Sequence, residues 1–345
     1  AHPQNVVPPF RALVGEFQSL APSATPLTSV AEDPSGRSIY AQSLYGNSFQ
    51  RYDATSGAWL PLQSAPIYGY GEGGPYAGEP AYDDLIQGRA GLPHLFHEAS
   101  ADRPRYVPTA ISDRITGLAT VNAVTSALYC RERTGKGQAV EVPMFETLAQ
   151  MVLGDHMGGR TFEPPLGPAG YGRMLAPHRA PYATRDGYVC VLVYNDKHWR
   201  SFFKLIGRED LFEGDSRFSN HEARSRNISE VYAFVATQMV TRTSAEWLRL
   251  LKEADIPVAP LNSVDDLIDD PHLAQTGFFK MTEHPTEGTL RAMAAPGKWS
   301  QSPPQGLRPA PRLGEHSVEI LREVGYADAD INAMIASRVT HSPEN

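Results

Sequence analysis

The sequence has few of the features that mark secreted, membrane-spanning or nucleic-acid-binding proteins. It contains 2 cysteines in 345 residues, so a disulfide framework is excluded as its main support. Cys130 and Cys190 are therefore expected to be reduced, buried and structural. No apolar run reaches the length of a membrane span, and the N-terminus lacks a signal-peptide pattern, which together favour a cytoplasmic protein. The net charge of −8 argues against nucleic-acid and anionic-membrane partners.

The composition that remains is that of an ordinary globular protein. Apolar residues make up 41% of the chain and charged residues 20%, and the length is sufficient for two domains with a buried core. Residues 1–67 differ from the rest, because they are rich in breakers and weakly β in pattern. From residue 68 onward, strand and helix patterns alternate. The sequence therefore predicts an α/β protein with an atypical N-terminal segment.

The stretch Tyr106–Leu148 organises the chain. Leu118, Val121, Val124 and Leu128 recur at helical spacing, which predicts a helix with one apolar face. Gly135 is suited to the left-handed conformation that ends a helix. A short strand with one buried face is predicted after it, at Val140 and Val142, because these residues alternate with Glu141.

Asp113 stands near the start of this helix and has two interpretations. It can be an N-cap, with its carboxylate accepting hydrogen bonds from the first-turn amides. Alternatively, it can be a nucleophile, because a carboxylate can attack an activated acyl group and form a covalent intermediate. Local sequence does not separate the two interpretations.

Residues of about 180–299 carry the signals of a second folded unit. An aromatic stripe on one predicted helix is interpreted as core, and two capping boxes are predicted at helix starts. By contrast, His94 and His97 lack further ligands at metal-binding spacing, so no metal site is predicted. The stripe consists of Trp199, Phe202, Phe203 and Ile206, and the boxes pair Thr243 with Glu246 and Ser263 with Asp266.

Several blocks of the sequence resemble one known family. SDRITGL followed by RERTGKGQAVEVPMFETL is similar to the core signature of the class III CoA-transferases, a family that also contains α-methylacyl-CoA racemases. Further similar blocks occur in the family's order. They are YGYGEGGPYAGEPAYDD at Tyr68–Asp84, DGYVCVLVYNDKHWRSFFKLIGR at Asp186–Arg208, DSRFSNHEAR at Asp215–Arg224, ADIPVAPLNSVDDLIDDPHL at Ala254–Leu273 and APRLGEHSVEILREVGY at Ala310–Tyr326.

The resemblance implies a fold and a domain order. The expected fold is that of a class III CoA-transferase: a Rossmann-like large domain plus a smaller α+β domain. The opening βαβ units, which contact CoA in the family, are not legible here. The predicted domains are residues 1–67 as the atypical segment, 68–179 as the catalytic part of the large domain and 180–299 as the small domain. Residues 300–345 are predicted to be a linker and C-terminal helices that return to the large domain.

The residues at two positions favour a CoA-transferase over a racemase. The resemblance places Tyr82, followed by Asp83, where racemases carry a proton-exchanging His before an Asp. A tyrosine has a reference pKa near 10 and is a poor partner for two-base proton exchange at neutral pH. A packing role for Tyr82 is the alternative. By resemblance, Tyr82 is expected to orient or stabilise an intermediate formed on Asp113, the expected nucleophile.

The glycine-rich loop before Tyr82 is the other candidate site. Gly71, Gly73 and Gly74 can bring backbone amides close to a ligand, and with Asp83 they form the predicted CoA-contacting set. A surface turn is the alternative for the glycines, and a helix start for Asp83.

The resemblance also implies the substrates and the assembly. CoA and acyl-CoA are expected as substrates rather than as bound cofactors, with a carboxylic acid as the acceptor. Family members are interlocked homodimers, so a dimer is expected. Because the CoA-contacting opening is not legible, a non-catalytic remnant or chimera is the alternative function.

Overall fold

The computed structural model describes residues 27–32, 38–43, 49–53, 58–60, 67–100, 102–304 and 309–343. Within the chain, one compact unit spans Ser23–Leu261 and a second contains Asn262–Asn345. The predicted four-part division at residues 68, 180 and 300 stays a prediction.

The first unit begins with an antiparallel four-stranded meander. Its strands are β1 (Leu27–Glu32), β2 (Ser38–Ser43), β3 (Phe49–Asp53) and β4 (Ala58–Leu60), and each pairs with the next along the chain.

A helical lobe follows the meander and contains the Asp113 region. Its strands β5 (Ile67–Tyr68) and β6 (Val142–Pro143) form one parallel pair. This is the one parallel pairing among the strands of the described residues, and the Rossmann-like architecture stays a prediction. The helices are α1 (Asp83–Arg89), α2 (Leu92–Ser100), α3 (Ile111–Thr134) and α4 (Met144–His156).

A small hydrophobic core holds α1 against α4. It consists of buried Tyr70, Ile86, Ala90, Met144 and Leu148. Gly69 allows the chain after β5 to pass close to the segment before α1, because a Cβ at this position would lie 2.0 Å from the Cβ of Ala81.

The long helix α3 forms and ends as predicted. Gly135 has a φ of 69° and its N–H donates to the Arg131 carbonyl, which closes the last turn. The residues of the predicted apolar face are exposed: Leu118 is 73% exposed, and Val121, Val124 and Leu128 are exposed as well. The residues of α3 that are buried, Ser112 and Thr116, lie on its first two turns and are polar.

The strand predicted after α3 is shorter than expected. β6 is confined to Val142–Pro143, with Val142 buried, and Val140 lies outside it. A 3-10 turn at Gly158–Thr161 follows α4, and residues 162–181 then lead to the next lobe.

The second lobe has the larger core of the first unit. Strands β7 (Tyr182–Ala183), β8 (Tyr188–Val191) and β9 (Val258–Pro260) form an antiparallel sheet in that order. The predicted aromatic stripe is confirmed, because Trp199, Phe202 and Phe203 are buried and Ile206 packs against them. The helices are α5 (Asp196–Ile206), α6 (Leu211–Gly214), α7 (His221–Arg226), α8 (Ile228–Met239) and α9 (Ser244–Glu253).

Both predicted capping boxes are confirmed. Thr243 and Glu246 form reciprocal side-chain to backbone hydrogen bonds at the start of α9. Ser263 and Asp266 do the same in the second unit. That unit contains α10 (Val264–Ile268), α11 (Pro271–Gln275), an antiparallel hairpin of β10 (Phe279–His284) and β11 (Gly288–Met293), α12 (Ser317–Glu323) and α13 (Asp328–Ala336).

Three properties of the described residues bear on function. None of their helices combines the length and hydrophobicity needed to cross a bilayer. They also contain no group of three or more His, Cys, Asp or Glu residues that could hold a metal ion. Cys130 in α3 and Cys190 in β8 are both free thiols, and they are partly rather than fully buried.

Candidate active site

Asp113 lies within the first turn of α3 and is not its N-cap. The helix begins at Ile111, and the N-cap position is Ala110, which has no side chain that can accept a hydrogen bond. The N-cap interpretation of Asp113 is therefore wrong. Its side chain is exposed, and its carboxylate forms no hydrogen bond with the part of the chain that the structure describes. The carboxylate is thus available for chemistry.

Asp83 performs the capping instead, from a position 30 residues earlier in the chain. Its Oδ1 accepts hydrogen bonds from the backbone N–H of Ser112 at 2.7 Å and of Asp113 at 3.1 Å. The Ser112 hydroxyl donates to the Asp83 carbonyl oxygen at 3.3 Å. Two first-turn amides of α3 are therefore satisfied by a residue that itself begins α1.

Gln87 holds the Asp83 carboxylate in place. Its side chain is fully buried, and Nε2 donates to Asp83 Oδ2 at 2.6 Å. Gln87 Oε1 accepts a hydrogen bond from the Val107 N–H at 2.9 Å. A buried amide with both ends bonded fixes side-chain orientation. Gln87 thus connects α1 to the segment that leads into α3.

Two carboxylates consequently meet at the N-terminus of α3. Burial raises the pKa of the Asp113 carboxyl above its usual range, and the negative charge of Asp83 raises it further. The helix N-terminus carries a partial positive charge, which favours both anions. The arrangement is a pair of acids on one helix end, with Asp83 bonded to the backbone and Asp113 free.

Tyr82 directly precedes Asp83, at the N-cap position of α1. It has extended backbone angles and forms no side-chain cap. The packing alternative is wrong, because the side chain is 72% exposed. The expected role of its hydroxyl beside an intermediate stays a prediction.

The glycine-rich loop lies against α4. The Gly71 N–H donates to Glu146 Oε1 at 3.0 Å, and the Gly74 N–H donates to the Gly71 carbonyl at 3.1 Å. A Cβ at Gly71 would lie 2.8 Å from Glu146 Oε1, so a larger residue here would require the flexible Glu146 side chain to shift. Around Gly73 there is open space. Two of the three amides thus have protein partners, and contact of this loop with CoA stays a prediction.

A cleft opens beside the two acids, with a volume of about 690 Å³. It is lined by Asp83 and Asp84 at the start of α1 and by residues 103–110, which lead into α3. Sequence patterns did not reveal this cleft, the bridging role of Gln87, or the presence of Arg103 and Arg105 in the cleft lining. Only the pairing of α1 with the start of α3 brings these residues together.

Comparison with known proteins gives one consistent family. The model of CoA-transferase family III matches residues 62–317. A (R)-2-hydroxy-4-methylpentanoate CoA-transferase from Clostridioides difficile is 28% identical over 84% of this chain and 72% of its own length. A succinate–glutarate CoA-transferase from Agrobacterium fabrum is 26% identical over 75% of this chain and 64% of its own.

A solved structure agrees with this result. The crystal structure of a CAIB/BAIF family protein from Brucella suis matches with a TM-score of 0.57 and 28% identity, over 75% of this chain and 66% of that one. The chain thus spans roughly two thirds of the length of these proteins.

Proposed function

Because the chain belongs to CoA-transferase family III, we propose that it transfers CoA from an acyl-CoA to a carboxylic acid through covalent intermediates on Asp113. One observation carries the assignment of Asp113. Its carboxylate is exposed and free on the first turn of α3, while the capping that such a residue would otherwise provide is supplied by Asp83. A carboxylate in this state can act as a nucleophile.

In the first half of the reaction, Asp113 takes up CoA. A carboxylate oxygen of Asp113 attacks the carbonyl carbon of the acyl-CoA thioester, and the C–S bond breaks to release CoA thiolate. The product is a mixed anhydride between the acyl group and Asp113. The thiolate then attacks the Asp113 carbonyl carbon, which releases the donor acid as its carboxylate and leaves an aspartyl-CoA thioester.

In the second half, CoA passes to the acceptor. The acceptor carboxylate attacks the aspartyl thioester, releases thiolate and forms a new anhydride. The thiolate attacks the acyl carbonyl carbon of that anhydride, which yields the new acyl-CoA and regenerates the Asp113 carboxylate. Each step exchanges one acyl bond for another, so no net proton or electron is consumed.

The surrounding residues have assigned tasks in this proposal. Asp83 fixes the backbone of Asp113 through its N–H, so that the nucleophile is held in one orientation. Tyr82, the exposed residue before Asp83, stabilises or orients the intermediate with its hydroxyl. Amide donors such as the N–H of Gly73 are candidates to stabilise the oxyanion of the tetrahedral intermediate. Water must be kept away from the anhydride, which hydrolyses readily.

The related enzymes named above act on different acids, one a branched 2-hydroxy acid and one a pair of dicarboxylates. The family alone therefore leaves the acid open. The racemase alternative is disfavoured, because the chain has Tyr82 in place of a proton-exchanging histidine. A homodimer and a cytoplasmic location, both expected from the sequence, stay predictions.

Isotope exchange tests the proposed activity. The protein is incubated with a series of acyl-CoAs, each with the isotopically labelled free acid of its own acyl group, and the label in the CoA ester is measured. We expect label to enter the ester with the wild type and with Asp265→Asn, a control at an exposed first-turn aspartate of α10. We expect none with Asp113→Asn. A folded wild-type chain that exchanges no acid in the series would instead support the non-catalytic alternative.

A further inference from the structure

The cleft beside Asp113 has a basic part that no step of the proposed reaction uses. Arg103 and Arg105 line it, and the same segment continues through Ala110, the N-cap residue of α3. Asp83 in the cleft lining accepts a hydrogen bond from the N–H of Asp113. The cleft therefore joins two guanidinium groups to the end of α3 that carries the nucleophile.

Both guanidinium groups have donors to spare. Arg105 uses one nitrogen in an ion pair with Asp102 at 3.0 Å, and its side chain is 62% exposed. The side chain of Arg103 forms no hydrogen bond or ion pair with the residues that the structure describes. A guanidinium carries five N–H donors in a planar fork, which matches the oxygens of a carboxylate or a phosphate.

The cleft lining contains two aspartates as well as the two arginines. The Asp83 carboxylate is already bonded to two amides and to Gln87. Asp102 lies outside the lining; it pairs with Arg105, and its carboxylate also interacts with the charge of Arg103. Asp84 is the remaining acid of the lining, and its side chain is exposed. In a chain of net charge −8, a lining that contains two arginines and two aspartates is less acidic than the chain as a whole.

The rest of the lining in this segment is largely apolar. Pro104, Val107 and Pro108 contribute to it. The apolar part of the lining thus has the two arginines on one side and the region of Asp113 on the other. Such a cleft is suited to a ligand that has an anionic end and a hydrocarbon or pantetheine middle.

We propose that Arg103 and Arg105 form an anion subsite that binds a charged oxygen group of the substrate remote from the reacting carbonyl. Two groups have this chemistry: the second carboxylate of a dicarboxylic acid and a phosphate of CoA. The proposal rests on the proposed function, because the bound anion is assigned to a substrate of the reaction at Asp113. Binding to the subsite itself requires no turnover.

Direct binding tests the subsite in the full chain with Asp113→Asn, which prevents turnover. Isothermal titration calorimetry measures the affinity for glutarate and butyrate, and for CoA and pantetheine. Arg103→Gln and Arg105→Gln are compared with Arg249→Gln. Arg249 is a matched control, because its side chain is also 62% exposed and also pairs with a nearby acid at 3.0 Å, outside the cleft.

The two pairs of ligands identify the anion. If the subsite takes a carboxylate, each cleft variant weakens glutarate binding about tenfold and leaves butyrate unchanged. If it takes a phosphate, each weakens CoA binding about tenfold and leaves pantetheine unchanged. Either result supports the subsite, and the Arg249→Gln control is expected to change neither.

Three results would overturn the subsite. In the first, the Arg103→Gln and Arg105→Gln variants bind glutarate and CoA as tightly as the Arg249→Gln control. In the second, they lose affinity equally for the anionic ligands and for butyrate and pantetheine. In the third, the Asp113→Asn chain with both arginines intact binds neither glutarate nor CoA. None of these results bears on isotope exchange at Asp113, which reports the proposed reaction separately. Failure of the subsite and failure of the reaction are therefore distinguishable.

Discussion

The Oδ1 atom of Asp83 lies 3.1 Å from the backbone nitrogen of Asp113 and accepts its N–H. The same oxygen accepts the N–H of Ser112 at 2.7 Å. The Asp83 carboxylate thus caps the helix that carries Asp113. Burial is the larger cause of the raised Asp113 pKa, and the negative charge of Asp83 is the second cause. Stability, orientation and acidity of the site are linked through this contact.

Removal of the cap is expected to destabilise the fold. Asp83→Ala leaves two first-turn amides without an acceptor, so the free energy of unfolding should fall by about 1–2 kcal/mol. Urea unfolding measures the change. Asp84→Asn is the matched control, because Asp84 is the next residue of α1, and the structure records no hydrogen bond or ion pair of its side chain with the described residues. Equal stability of the Asp83→Ala and Asp84→Asn variants would contradict the capping role.

The charge of Asp83 can be separated from its capping. Asp83→Asn keeps an oxygen for the amides of Ser112 and Asp113 but removes the negative charge, which is the second cause of the raised Asp113 pKa. The nucleophile must be ionised, so the acidic limb of the isotope-exchange profile should move to lower pH. An unmoved limb in an active Asp83→Asn protein would show that the charge of Asp83 does not act on Asp113.

The raised pKa of Asp113 also makes the stability of the fold depend on pH. Because the folded state binds the Asp113 proton more tightly than the unfolded state, this group favours folding at low pH, and its contribution is lost as pH rises through the folded-state pKa. Asp113→Asn should therefore raise stability at neutral pH, by no more than about 1 kcal/mol for a partly solvated pair. The gain should vanish in acid. Thermal unfolding from pH 3 to pH 8 measures it, and a loss of stability at neutral pH would contradict the assignment.

Gln87 is expected to act on the site without contacting the substrate. Gln87→Leu removes the acceptor of the Val107 N–H and the donor to Asp83, at a cost of about 1–3 kcal/mol. Exchange activity should also fall, because Asp83 loses its orientation. Gln150→Leu on the exposed side of α4 is the control for stability and activity. A Gln87→Leu protein with full stability would show that the buried amide is dispensable.

The core of the second lobe predicts a larger effect. Trp247 is fully buried, and its indole N–H donates to the Met239 carbonyl at 2.7 Å. Trp247→Ala should lower the free energy of unfolding by about 3–5 kcal/mol. Trp299, which is 64% exposed, provides the matched control, and Trp299→Ala should cost less than about 0.5 kcal/mol. Similar costs for both would contradict the assigned core.

Local signals in the sequence predicted local structure well. The capping boxes at Thr243 and Ser263 and the left-handed Gly135 each depend on residues within one helical turn, and each is confirmed. The aromatic stripe of α5 is also confirmed, since its aromatic residues are buried in the core. Such a stripe is predictable because large aromatic side chains at helical spacing gain much from burial.

Long-range partners were beyond the sequence. The N-cap interpretation of Asp113 was wrong because the acceptor for its N–H comes from Asp83, 30 residues away. The apolar spacing on α3 predicted which residues share a face of the helix. It could not predict whether another element packs on that face, where Leu118 is exposed. Gln87 gave no signal at all, since a single polar residue in a helix start does not reveal that both its ends will be bonded in the interior.

Mass spectrometry of the protein after incubation with an acyl-CoA and hydroxylamine tests the central claim most directly. Hydroxylamine attacks the aspartyl carbonyl of the aspartyl-CoA thioester, or that of the anhydride, and leaves a hydroxamate on the side chain. We predict a hydroxamate at Asp113 in the wild type and in Asp265→Asn, and none at this position in Asp113→Ala. A folded wild-type protein that exchanges label into acyl-CoA yet carries no adduct at Asp113, or carries it at another residue, would contradict the account.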